Sequence, residues 1–145
     1  MAVYTDTISL STKGGSDVLD VTPALQECIR KSGISDGIAH IFCPGSTGGL
    51  SATEFEPGAV RDLKECLDLY IPPTPPGPPW GEYFHHETWH DDNGHSHLRS
   101  SVIGPDITVP VRKGGPHLGT WQQVIFIDFD TRPRDRNLDV TIIGE

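Results

Sequence analysis

The chain has no apolar run approaching the roughly 18 residues that a membrane-crossing helix needs. It is also short of positive charge, with 11 Lys and Arg against 20 Asp and Glu and a formal net charge of −9. The first lack argues against a spanning helix. The second argues against nucleic acid and anionic membranes as partners, because both call for a basic patch and none is visible. Cysteine is scarce too. Cys28, Cys43 and Cys66 are odd in number and widely spaced, which fits small buried thiols in a reducing cytoplasm better than a disulfide framework or a cysteine zinc site. The start, MAVYTDTISLST, lacks the basic segment and apolar stretch of a signal peptide, so a cytoplasmic location is expected. With 35% hydrophobic residues, residues 1–145 suffice for a single domain with one lean core.

What the chain has in excess is histidine in one place. Five of its seven histidines, His85, His86, His90, His95 and His97, fall within thirteen residues, together with Glu87, Asp91 and Asp92. Imidazole is the commonest protein ligand for zinc-like metals and changes charge near neutral pH, so a metal or phosphate site is expected in this run. Read as an extended strand, His95-Ser-His97 would turn both rings to one face and let them address one centre.

Around this run the chain alternates strand and helix patterns without internal repeats. Tyr4 to Leu10 and Val18 to Val21 read as strands. Thr22-Pro23 opens a helix with Thr22 as its cap, which runs to Lys31 and leaves at Gly33. Gly37 to Cys43 reads as a buried strand, with His40 as a satisfied core residue. The Gly- and Ser-rich stretch from Pro44 to Gly58 reads as a loop that presents backbone N–H groups, although it is not a phosphate-loop motif. A second helix is expected over Ala59 to Leu69. The proline-rich Ile71 to Pro79 follows as a stiff connector. Strand patterns return at Ile107 to Arg112, at Leu118 to Phe129 and at Leu138 to Ile143. The middle one is apolar on both faces, as a central strand would be. Between the last two, Arg132, Arg134 and Arg136 gather three positive charges in five residues, either as a solvated hairpin tip or as a phosphate-facing group.

Three stretches bring a known family into view: GSTGGLSATEFEPGAVRDL, then NGHSHLRSSVIG (Asn93 to Gly104), and LGTWQQ (Leu118 to Gln123) ahead of a closing VTIIGE. In these motifs and their order, almost the whole chain resembles the YjbQ family, usually labelled secondary thiamine-phosphate synthase. The resemblance implies an α+β, compact, β-rich single domain, a sandwich or partly open barrel with two helices. It also implies assembly as a homotrimer, a histidine-bound divalent metal and a weak thiamine-phosphate synthase activity. Residue by residue, it points to His86, His95 and His97 as metal ligands and to Glu54 as the acid that follows the loop. Zinc is the first expectation for the cofactor, with magnesium compatible with a small phosphorylated ligand. Arg134 and Arg136 are the candidates for phosphate contact. In one place the chain departs from the family pattern: Gly45-Ser46-Thr47-Gly48 stands where relatives carry His-Thr-Ser/Thr-Ala. The non-catalytic alternative is a trimeric metal- or ligand-binding protein.

Overall fold

The computed structural model describes residues 1–145. Strict alternation builds its larger wall. In β8 (Arg134–Gly144) the residues Leu138, Val140 and Ile142 are buried, and in β3 (Gly37–Phe42) Ala39 and Ile41 are. These strands join β1 (Ala2–Thr12), β5 (Asp106–Arg112) and the short β6 (Gly115–Pro116) in an antiparallel sheet of order β1-β8-β3-β5-β6. A second antiparallel sheet has the order β2-β7-β4, with β2 at Asp17–Asp20, β4 at Gly48–Thr53 and β7 at Gln123–Asp128. The architecture is the expected α+β sandwich, curled like a partly open barrel.

The two faces of β7 enter two cores, as its doubly apolar sequence requires. Val124 and Phe126 belong to the main core of 17 buried residues between the sheets. Ile125, Ile127 and Phe129 join Val18 and Leu67 in a second cluster, against which Val60, Leu63 and Ile103 pack. Val60, Leu63 and Leu67 come from α2 (Pro57–Tyr70), and Ile103 from α4 (Gly94–Ile103). The main core is closed by Leu25, Cys28 and Ile29 of α1 (Thr22–Ser32). Each fully buried Leu, Ile or Phe contributes about 1.5–3 kcal/mol of transfer free energy.

Several local expectations change. Thr22 is not the cap of α1: the N-cap is Val21, without a side-chain cap bond, and just before it Asp20 Oδ1 accepts the Thr22 N–H at 2.9 Å. His40 faces outward on β3 and pairs with Asp106 at 2.9 Å, because alternation places Ala39 and Ile41 inside. Cys28 and Cys43 are buried, but Cys66 is exposed. Part of the Gly-rich stretch is β4, whose small residues let it lie close beneath α4. Two helices beyond the expected pair appear, α3 (Phe84–Trp89) and α4.

The second of these overturns the extended reading of His95-Ser-His97. The buried face of α4 is Gly94, His95, Ser96, Arg99 and Ser100, which is helical spacing carried by polar residues. Hydrogen bonds satisfy its serines and arginine, while His95 Nδ1 is left without a partner. Ser100 Oγ donates to Gly48 O at 2.6 Å, Ser96 Oγ donates to Phe129 O, and Arg99 donates to Ile71 O, Ser16 Oγ and Asp68. A search for apolar periodicity misses such a helix. Two residues along a helix is about 200° of rotation, so His95 and His97 leave it on opposite sides.

Candidate functional site

A cleft of about 390 Å³ opens where the C-terminal end of β7, the start of β8 and the α3–α4 segment meet. A larger depression of about 580 Å³ lies over Thr5, Thr7, Asp139 and Thr141 on the bare face of the five-stranded sheet. It contains no imidazole, thiol or guanidinium, so the chemistry is to be sought in the smaller cleft.

One wall of that cleft is ionic and already paired. Arg134 and Arg136 are two apart on β8 and therefore share a face. Arg136 grips Asp128 through Nε at 2.8 Å and Nη2 at 2.9 Å, and its Nη2 also donates to Thr47 Oγ1 at 2.7 Å. Arg134 holds Asp130 through Nε at 2.9 Å and Nη2 at 2.7 Å. Both carboxylates are almost fully buried. Burial works against ionising Asp128, but the Arg136, Thr12 and Asp130 N–H hydrogen bonds outweigh it and hold its carboxyl below the usual range. Asp130 is lowered in the same way: burial opposes, and Thr131 N–H and Arg134 prevail. The hydrogen bonds to Asp128 raise Arg136 in turn, against its burial. The planar fork of each guanidinium suits this bidentate grip. Each arginine keeps Nη1 outside these bonds.

The other wall is imidazole. His85 of α3 and His97 of α4 stand with ring centroids 4.3 Å apart. Asp91 Oδ1 lies 3.6 Å from His85 Nε2, and Trp89 and Asn93 complete this side. Gly94 makes the approach of α3 and α4 possible, since a Cβ there would sit 2.5 Å from the Cβ of Tyr83. Asn93 Oδ1 is buried without a hydrogen-bond partner, and its residue lines the cleft. A buried unpaired acceptor costs about 1–3 kcal/mol, so this oxygen suits a donor or cation arriving from the cleft. Two imidazoles and a carboxylate are ligand types that suit a divalent transition metal, but the ligand atoms of His85, His97 and Asp91 do not all lie within 4.8 Å of one another, so side-chain rotation is needed for them to close on one ion.

The residues named from sequence separate. His97 is in the cleft, with His85 rather than His86 as its neighbour. His86 turns to the outer side of α3, against Glu82 and Asp92. His95 packs into the core beside Tyr83, where burial, and then Arg99, push its pKa down to about 4. The ring nitrogens of His86, His95 and His97 do not come within 4.8 Å of one another. Arg134 and Arg136 are both in the cleft. Glu54 is not: it is exposed just past β4, whose opposite end at Gly48 follows Thr47 of the cleft and lies roughly 20 Å away along the strand. Sequence reasoning missed Asp128, Asp130, Asn93 and Thr47 as wall residues. Two buried aspartates flanking Phe129, at the end of an otherwise apolar strand, were the available signal.

A family model described as UPF0047 protein YjbQ-like matches residues 6–145. The chain belongs to this YjbQ family. A UPF0047 protein of Methanothermobacter thermautotrophicus is 32% identical over 145 residues, covering 100% of this chain and 95% of its own. One from Methanocaldococcus jannaschii is 34% identical over 137 residues, with 94% and 91% covered. Among solved structures, a YbjQ-like protein of unknown function from Sulfolobus solfataricus superposes with a TM-score of 0.88 at 32% identity, covering 99% of each chain. An uncharacterised YjbQ/UPF0047 family protein from Clostridium acetobutylicum superposes with a TM-score of 0.83 at 34% identity, covering 95% of this chain and 99% of its own. The fold is therefore that of the YjbQ family.

Proposed function

We propose that the cleft binds a small phosphorylated molecule together with a divalent metal, zinc first, held by His85, His97 and Asp91. The observation that carries this reading is the pairing of His85 and His97 opposite Arg134 and Arg136. Charge makes the two ligands interdependent. Among the cleft's lining residues Arg134 and Arg136 are balanced by Asp91 and Asp130, and the buried Asp128 behind Arg136 leaves one negative charge in excess. An anion entering alone meets no net attraction there. The bound ion would supply the missing positive charge and polarise a phosphoryl oxygen. The chain's own groups do the rest. The two free Nη1 atoms and the Thr47 and Ser46 hydroxyls orient the phosphate, Trp89 shields one side, and the ionic wall stays rigid because each guanidinium is clamped.

The reaction we assign to this arrangement is the thiamine-phosphate synthase type, in which the ring nitrogen of a thiazole phosphate displaces pyrophosphate from a pyrimidine diphosphate. Arg134 and Arg136 would receive the charge that builds on the leaving pyrophosphate. Turnover is expected to be slow, because Gly45 leaves bare a position whose Cβ would lie 3.4 Å from Arg136 Nη1. The non-catalytic alternative, a binding protein, rests on the same gap. Calorimetry with inorganic pyrophosphate tests the shared part. Binding should be at least tenfold tighter with Mn²⁺ present, and that gain should vanish in His85→Ala/His97→Ala. Equal affinity with and without metal would sink it.

We further propose a homotrimer in the cytoplasm. The five-stranded sheet leaves Val3, Ile38 and Phe42 exposed on its outer side, an apolar strip that neighbouring subunits would cover. A monomeric mass by light scattering at micromolar concentration would overturn the assembly.

A further inference from the structure

The turn between β7 and β8 carries a third arginine that the cleft does not use. Arg134 and Arg136 are each clamped to a buried aspartate, whereas the Arg132 side chain makes neither an ion pair nor a hydrogen bond. Lys13, Lys64, Arg112 and Lys113 have side chains that are equally free, yet none of them lines a cavity. Arg132 does: with Thr131 it borders a pocket of about 180 Å³. That pocket shares Asp91, Asn93, Asp130 and Arg134 with the cleft and is a side chamber of it.

The main chain at Arg132 is held from behind while its guanidinium stays uncommitted. Gly14, at φ 78°, lets the β1–β2 turn close on it, since a Cβ there would stand 2.6 Å from Arg132 O and 2.9 Å from Arg132 N. On either side, Gly15 N–H donates to Asp130 O at 2.6 Å and Arg134 N–H donates to Thr12 Oγ1 at 3.2 Å. A fixed backbone lowers the ordering cost that a ligand must overcome. Charge points the same way. Arg134 and Arg136 against Asp91, Asp128 and Asp130 leave one negative charge in excess, and Arg132 cancels it. Its planar fork suits two oxygens of one phosphoryl group. The two phosphoryl groups of a diphosphate share an oxygen and so need two adjoining spaces. A monophosphate fills the first and leaves the chamber to water.

Resting on the reading of the cleft as a phosphate site, we propose that the side chamber takes the terminal phosphoryl group of a diphosphate. Arg132, helped by the Thr131 hydroxyl, is then the residue that makes the cleft prefer diphosphates to monophosphates.

Calorimetry on the full chain with Mn²⁺, comparing inorganic pyrophosphate with inorganic phosphate, tests this without reference to activity. The wild type should favour pyrophosphate. Arg132→Gln should lose about tenfold in pyrophosphate affinity, as expected for a charged hydrogen bond, and leave phosphate within about twofold. Arg132→Lys should fall between, because it keeps the charge and loses the fork. Arg112→Gln removes the same charge at an exposed position on β5 and should match the wild type. If Arg132→Gln binds pyrophosphate as the wild type does, weakens both ions equally, or is matched by Arg112→Gln, the assignment is wrong. If pyrophosphate binds equally with and without Mn²⁺ but Arg132→Gln still costs about tenfold, the metal part of the cleft reading fails and the role of Arg132 stands. If neither ion binds, both readings fall together.

Discussion

The two walls of the cleft are built on opposite principles. The arginine–aspartate wall closes its charges against one another. Asp128 and Asp130 are almost fully buried, and each guanidinium is committed through two of its nitrogens. The histidine wall leaves its groups open. His85 and His97 face each other with no protein hydrogen bond joining them, and Asn93 Oδ1 has no partner. A buried ion pair is costly to break and adds little on balance to stability. An open imidazole pair adds little to stability and is free to bind. The first wall holds shape, and the second is the one left open.

That contrast is broken most severely at Asp128. Asp128→Ala leaves Arg136 partly buried without its partner and should lower stability by about 3–5 kcal/mol in denaturant unfolding; a loss below about 1 kcal/mol would mean that the ionic wall is dispensable. His85→Ala/His97→Ala should do the reverse. Metal affinity in the cleft falls by 100-fold or more, about 2.7 kcal/mol, while the unfolding midpoint hardly moves. A comparable loss of stability would show the imidazoles to be structural.

The third change adds to a wall instead of removing from it. Gly45→His sets an imidazole beside Arg136 Nη1. It should raise synthase turnover on the two phosphorylated substrates at least tenfold, about 1.4 kcal/mol, over a parent far slower than one per second. A parent already near that rate would show that the cleft is complete without it. The smallest effect belongs to Thr12, whose Oγ1 donates to Asp128 at 2.6 Å. Thr12→Val should cost about 1 kcal/mol at neutral pH. It should also make the protein more acid-sensitive. Asp128 and Asp130 are held below the ordinary carboxyl range when folded, so as pH falls the unfolded chain takes up protons first. Their contribution is complete above about pH 5 and drains away below about pH 4, through the lowered folded values. Losing one hydrogen bond raises the folded value of Asp128 and moves the acid midpoint upward. An unchanged midpoint would mean that Arg136 alone sets the ionisation.

Much of this architecture was legible in the residues alone. The apolar faces of the Leu118 to Phe129 stretch and of Leu138 to Ile143 announced two buried strands, and Thr22-Pro23 and Pro57-Gly58 marked helix starts. Apolar alternation and turn chemistry are local, and local patterns survive reading in one dimension. The motif order was enough for the family, and the density of histidine pointed to the segment that forms one wall of the candidate cleft. Which histidines meet was not legible. α4 buries serines, a histidine and an arginine, so hydrophobic periodicity did not announce a helix, and its rotation sends His95 inward while leaving His97 in the cleft. The partners of Arg134 and Arg136 were equally hidden. Asp128 ends β7 in the other sheet and Asp130 follows it in the turn, and only the way that turn carries the chain from one sheet to the other folds the carboxylates beneath guanidinium groups four and eight residues on. Residue types and their neighbours along the chain decided what chemistry was on offer. Helix phase and sheet stacking, which depend on contacts between residues far apart in sequence, decided which groups share a site.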